Sequence, residues 1–161
     1  MRRHEPWFWA AGIWVTDFVT KRMILAHADL LRLERVEVLG DFFRLVYVRN
    51  PGAAMGLTPF GRWTLVTISA LAVVLLCWFL VITETRWRWR RLAMGLILGG
   101  ALGNLVDRVF YGGLVVDFLD FGIGAHRFWA FNVADMGVTC GGLLLLLSVL
   151  AEDLRARRRH D

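Results

Sequence analysis

Cysteine is scarce in this chain, with only Cys77 and Cys140 among 161 residues. Both fall inside apolar runs, without C-x-x-C spacing or a neighbouring histidine, which argues against a disulfide framework or a cysteine zinc site. Histidine is equally thin: the four present, His27 and His126 among them, are scattered and form no H-E-x-x-H. A metalloprotease is therefore disfavoured, and no metal or other cofactor is expected. Polar surface is also in short supply. The hydrophobic fraction of 57% exceeds the roughly 45–50% of soluble domains. The net charge of +5 comes almost wholly from arginines at the ends of apolar runs. That placing suits topology control and contact with membrane lipid, and leaves no soluble basic face for nucleic acid.

What is present reads as a bilayer protein. Residues 7–26 have the ~20-residue length of a membrane-spanning helix. Arg2, Arg3 and the Ala26-His27-Ala28 run also resemble a secretory leader, but Asp17, Lys21 and Arg22 interrupt the stretch that a leader keeps uncharged. Asp17 and Lys21 stand at i and i+4, on one face, where they can neutralise each other. Residues 27–62 form the long polar segment. In it Arg35–Leu39 and Phe42–Val48 carry the alternation of short strands about a Gly40-Asp41 turn. Asn50-Pro-Gly52 is turn-like, and its small residues allow close backbone approach. Residues 63–82 make a second span, 85–91 reads as a tight basic turn, and 92–110 makes a third span. Gly95, Gly99 and Gly103 line a helix-packing face in the third. A fourth span, 131–150, leads into an arginine-rich tail.

The expected fold is therefore an all-α membrane protein, a single polytopic domain over residues 1–161. It has four transmembrane helices and a small extracytoplasmic β element. Four crossings put both termini on one side, and the dense arginine clusters make that side the cytoplasm. The outer face then receives Asn50, Asp117 and Asp135 together.

Ionisable groups at the edge of a span are costly and mark function. Two carboxylates at a semi-apolar interface share a proton, as in aspartic proteases. Asp117 and Asp135 are the candidate pair, with Asp117 assigned the higher pKa because Asp135 opens a helix whose dipole favours charge. The plainer reading is that Asn132-x-x-Asp135 is a capping box, that Asp117 and Asp120 are solvated loop residues, and that Asn104, Asp107 and Arg108 satisfy one another.

Taken together, four segments resemble the signal peptidase II family of lipoprotein signal peptidases. They are Asp17-x-x-Thr20-Lys21, Asn50-x-Gly52-Ala53-Ala54, the pair Gly99-Gly100-Ala101-x-Gly103-Asn104-x-x-Asp107-Arg108 and Val115-Val116-Asp117-Phe118, and Phe131-Asn132-x-Ala134-Asp135. Met55 departs from the family pattern, which often has an aromatic there. The resemblance implies a bacterial inner-membrane aspartic endopeptidase with Asp117 and Asp135 as its dyad. Asn50, Gly52, Asn104, Arg108 and Asn132 would bind substrate, and Asp17, Lys21 and Asp107 would support the site. It also implies a β-cradle, a short helix between the third and fourth spans, and a monomeric enzyme. The partner would be a prolipoprotein with a diacylglyceryl-cysteine lipobox, cut before the lipidated cysteine. Two other readings compete. One is a proton or ion transporter relaying through Asp107, Asp117 and Asp135, although no internal repeat supports it. The other is an assembly subunit packed through the glycine face.

Overall fold

The computed structural model describes residues 3–52 and 61–157. Ala53, Ala54 and Met55 lie outside the described residues. The chain runs α1 (Glu5–Ala26), α2 (Ala28–Leu33), β1 (Val36–Leu39), β2 (Phe43–Asn50), α3 (Arg62–Ile82), α4 (Arg88–Phe110), β3 (Val115–Ile123), β4 (His126–Arg127) and α5 (Val133–Arg157).

Helix α4 is the hub, packed against α1, α3 and α5. Its missing side chains explain why. A Cβ on Gly95 or Gly99 would strike the Pro6 or Ala10 carbonyl of α1, and one on Gly103 would strike the Asp17 carboxylate. Gly100 faces the other way, so that a Cβ there would strike the Ala134 carbonyl of α5. Small residues thus let three backbones meet where larger ones would hold them apart. Ala10, Leu80, Met94 and Leu98 form the buried cluster around α4.

Among the described residues, three helical segments are long and apolar enough to cross a membrane: Trp63–Ile82, Arg88–Phe110 and Val133–Leu154. Helix α1 has 22 residues but carries Glu5, Asp17, Lys21 and Arg22. Only a small part of the Trp63–Ile82 surface is buried by protein, so α3 turns most of its apolar circumference outward.

The strands form one antiparallel sheet in the order β1-β2-β3-β4. Gly40, at φ 51°, makes the expected turn between β1 and β2. The sheet is larger than the loop 27–62 alone predicts, because β3 and β4 join it from beyond α4; the chain is not purely helical. No helix lies between Phe110 and Val133, contrary to the family-based expectation. Val115, Val116 and Phe118 are buried β formers, and Gly124, at φ 57°, turns the chain back into β4. The basic run 85–91 also differs from expectation, since α4 begins at Arg88 within it. Arg91 is only 2% exposed. It donates to the carbonyls of Leu80 at 2.6 Å, Thr83 at 2.6 Å and Arg3 at 2.8 Å. Three backbone acceptors make burial of that cation tolerable.

Candidate active site

The register of β2 on β3 sets the site. Val48 is opposite Asp117 and Asn50 is opposite Val115. Beneath the sheet, Ile24, Leu31, Val116 and Phe118 pack as one buried cluster, which fixes β3 against α1 and α2. Arg127 anchors the strand further along, its Nε donating to both Asp120 carboxylate oxygens at 2.8 and 2.9 Å. Asp117 is 1% exposed.

Three asparagines bring their amides to two carboxylates. The Asn132 amide donates to Asp117 Oδ1 at 2.6 Å, and the Asn50 amide donates to Asp117 Oδ2 at 2.8 Å. The Asn104 amide donates to Asp135 Oδ1 at 2.8 Å, and the Asn132 backbone N–H donates to Asp135 Oδ2 at 3.2 Å. Every carboxylate oxygen of the pair therefore accepts at least one hydrogen bond.

The asparagines have no freedom to turn round, because each amide oxygen is held by a group that can only donate. Lys21 Nζ reaches Asn104 Oδ1 at 3.2 Å, the Asp135 backbone N–H reaches Asn132 Oδ1 at 2.9 Å, and the Gly52 N–H reaches Asn50 Oδ1 at 2.9 Å. Gly52 adopts φ 81°, a left-handed conformation suited to glycine, and so closes that last turn. The capping box of Asn132 and Asp135 is thus formed in both directions, while Asp135 Oδ1 still turns outward to Asn104. The turn reading of Asn50-Pro-Gly52 holds in the same way: it is a turn, and it aims an amide at Asp117.

Behind this layer, Lys21 forms ion pairs with Asp17 at 2.8 Å and Asp107 at 3.0 Å, all nearly inaccessible to solvent. Asp17 accepts the Ala134 N–H at 2.8 Å, and Asp107 accepts the Val116 N–H at 3.0 Å. Both carboxylates therefore position the backbone beside the pair. Ala134 and Val116 enter through backbone groups, which side-chain identity does not advertise. Thr20 does not reach the site; its hydroxyl bonds back to the carbonyls of Thr16 and Asp17.

Arg108 lies within electrostatic reach of Asp135, Asp107 and Asp117, and one of its nitrogens bonds the Asn104 carbonyl at 3.3 Å. Its Nε is buried without an acceptor among the described residues. A Cβ on Gly52 would stand 3.1 Å from Leu65 and 3.4 Å from the guanidinium, so the glycine turn packs closely beside Arg108. Burial pushes the Asp117 carboxyl up to about 6. The Asp135 charge adds to this, and the hydrogen bonds from Asn50 and Asn132 and the charge of Lys21 oppose it. No cluster of three or more metal-ligating side chains occurs among the described residues.

Every candidate residue thus falls into one connected network. Asp117, Asp135, Asn50, Asn104 and Asn132 form the front layer, Arg108 and Gly52 flank it, and Asp17, Lys21 and Asp107 back it.

The architecture is that of a class of bacterial membrane enzymes. Two solved structures, described as bacterial membrane enzymes determined by the in meso method at 2.3 and 1.9 Å resolution, are both 30% identical. They superpose with TM-scores of 0.78 and 0.75, over 91% and 89% of this chain and 87% and 90% of theirs. Residues 9–151 match the signal peptidase (SPase) II family, and the chain belongs to it. A lipoprotein signal peptidase of Symbiobacterium thermophilum is 45% identical over 86% of this chain and 90% of its own length. Those of Desulfitobacterium hafniense and Syntrophomonas wolfei are 40% and 43% identical, each over 94% of this chain and 97% of their own length. These relatives are peptidases; neither the transporter nor the assembly-subunit reading gains support.

Proposed function

We propose that this member of the signal peptidase II family removes signal peptides from prolipoproteins by aspartic chemistry, with Asp117 and Asp135 as the dyad. The observation that carries this reading is the donor-only shell around both carboxylates. Each carboxylate oxygen has about two lone-pair positions. One hydrogen bond per oxygen leaves positions free for a shared proton and a water molecule. Asp117, with its elevated pKa, is the partner that holds the proton; Asp135 is the base.

In the proposed reaction, Asp135 takes a proton from water as its oxygen attacks the scissile carbonyl carbon. The proton on Asp117 bonds the carbonyl oxygen and stabilises the negative charge that develops there. The tetrahedral species then collapses. The peptide C–N bond breaks, the departing amine gains a proton through the dyad, and the signal peptide leaves with a new carboxyl group. The Arg108 guanidinium and the Asn50 turn would hold the substrate backbone. The substrate is read as a lipobox segment with a diacylglyceryl cysteine, cut immediately before it. Its acyl chains would stay among lipid and helix.

In the same proposal the protein is a monomer in the bacterial inner membrane. Four crossings include α1, whose charges Asp17 and Lys21 are mutually paired and therefore tolerable in a span. The termini are cytoplasmic and the dyad is extracytoplasmic.

The test is cleavage of a diacylglyceryl-modified lipobox peptide by purified protein in detergent. Asp117→Asn and Asp135→Asn should each cut turnover by about 10³-fold or more while the protein stays monodisperse, in line with losses of catalytic groups elsewhere. Substantial cleavage by either variant would sink the dyad.

A further inference from the structure

At the opposite end of the bundle, where α1 and α4 both begin, lies a cleft of about 360 Å³ lined by Glu5, Trp9, Arg88, Trp89 and Leu92. We propose that this cleft binds the zwitterionic phosphoethanolamine headgroup of a membrane phospholipid. Arg88 would take the phosphate and Glu5 the ammonium. The site lies outside the catalytic network and does not depend on the catalytic reading.

The pattern of ion pairing singles out Arg88. In the same short stretch, Arg86 pairs with Glu84, Arg90 pairs with Glu152, and Arg91 is spent on backbone carbonyls. Arg88 has no carboxylate partner among the described residues. Its guanidinium stacks on the Trp89 ring at 4.6 Å, which holds it at the cleft wall with no hydrogen-bond acceptor among the described residues. Glu5, the first residue of α1, also lacks an ion pair among the described residues although it lines the same space.

Two opposite charges that share a cleft without meeting are complementary to a ligand that carries both signs. A phosphate alone would leave Glu5 facing a net negative group. A phosphoethanolamine satisfies both charges, and its ammonium brings N–H donors for the carboxylate and a cation for the indole of Trp9. Tryptophan favours the headgroup level of a bilayer, and Leu92 begins the apolar surface along which acyl chains would continue. A cleft of this size suits a headgroup.

The experiment is native mass spectrometry of the intact 161-residue protein released from detergent. Phosphatidylethanolamine, phosphatidylglycerol and phosphatidylcholine with matched acyl chains are titrated separately. Phosphatidylethanolamine should be retained about tenfold more strongly than phosphatidylcholine, whose ammonium has no N–H to give. Arg88→Gln and Glu5→Gln should each remove about that factor, whereas Arg32→Gln, outside the cleft, should not. Equal retention of phosphatidylcholine, stronger retention of phosphatidylglycerol, or binding unchanged in both cleft variants would overturn the proposal. Should a variant fail to fold, the three-lipid comparison on the unaltered protein still decides.

Discussion

Lys21 does more than neutralise. Its Nζ meets Asp17, Asp107 and the Asn104 amide oxygen, and the last of these contacts dictates that Asn104 turns its NH₂ toward Asp135. Lys21→Met should therefore lower cleavage by about 10²-fold through misplacement. It should also destabilise the fold by about 3–5 kcal/mol by stranding two buried carboxylates. A cleavage assay paired with thermal unfolding reads both, and a variant that unfolds early yet cuts normally would refute the orienting role. Asp117 carries a separate signature. Its value rises from 3.8 in a free chain to about 6 when folded, so the folded protein binds this proton more tightly than the unfolded one. That stabilisation is complete below about pH 4 and is lost as pH rises through about 6, about 3 kcal/mol in all. Relative to Asp117→Asn, the unaltered protein should lose this much between about pH 4 and pH 7; parallel unfolding curves would contradict it. The types and spacing of these residues were legible in the chain because charges interrupting apolar runs stand out. The direction in which each amide points was not, since it depends on neighbours from four elements.

Glycine placement decides how the helices meet. Gly100→Ala would drive a methyl group into the Ala134 carbonyl at the start of α5. It should cost about 1–3 kcal/mol and reduce cleavage, because Asp135 lies one residue further on. Gly142→Ala meets nothing within 4 Å and should be neutral or stabilising by up to about 1 kcal/mol. Unfolding of the two variants side by side checks the contrast, and equal behaviour would contradict it. The Gly95-Gly99-Gly103 stripe was readable as a packing face, but its partner was not; the structure assigns it to α1. Strands β1 and β2 were readable from alternation. Strand β3 was not, because Val115–Phe118 are buried on both faces and so show no polar–apolar period. The start of α4 was misread because an arginine run resembles a solvated turn until the carbonyls around Arg91 are known.

At the scale of the whole molecule, large apolar side chains such as Phe8, Trp63, Leu71, Trp78, Leu146 and Leu147 stand exposed around the bundle. Such a girdle is stable against lipid and a liability in water. The proposed orientation is tested by single cysteines in a background lacking Cys77 and Cys140. Gly124→Cys should react with an impermeant maleimide added to intact cells, and Glu84→Cys only after permeabilisation. The reverse pattern would invert the topology. The bond from the Ala134 N–H to Asp17 also has a consequence for biosynthesis. It ties α1 to a residue translated 117 positions later, directly behind Asp135. Until α5 has been made, a growing chain lacks Asp135 and has no partner for this Asp17 oxygen. On the proposed reading, proteolytic power is withheld from the membrane until α5 has joined α1.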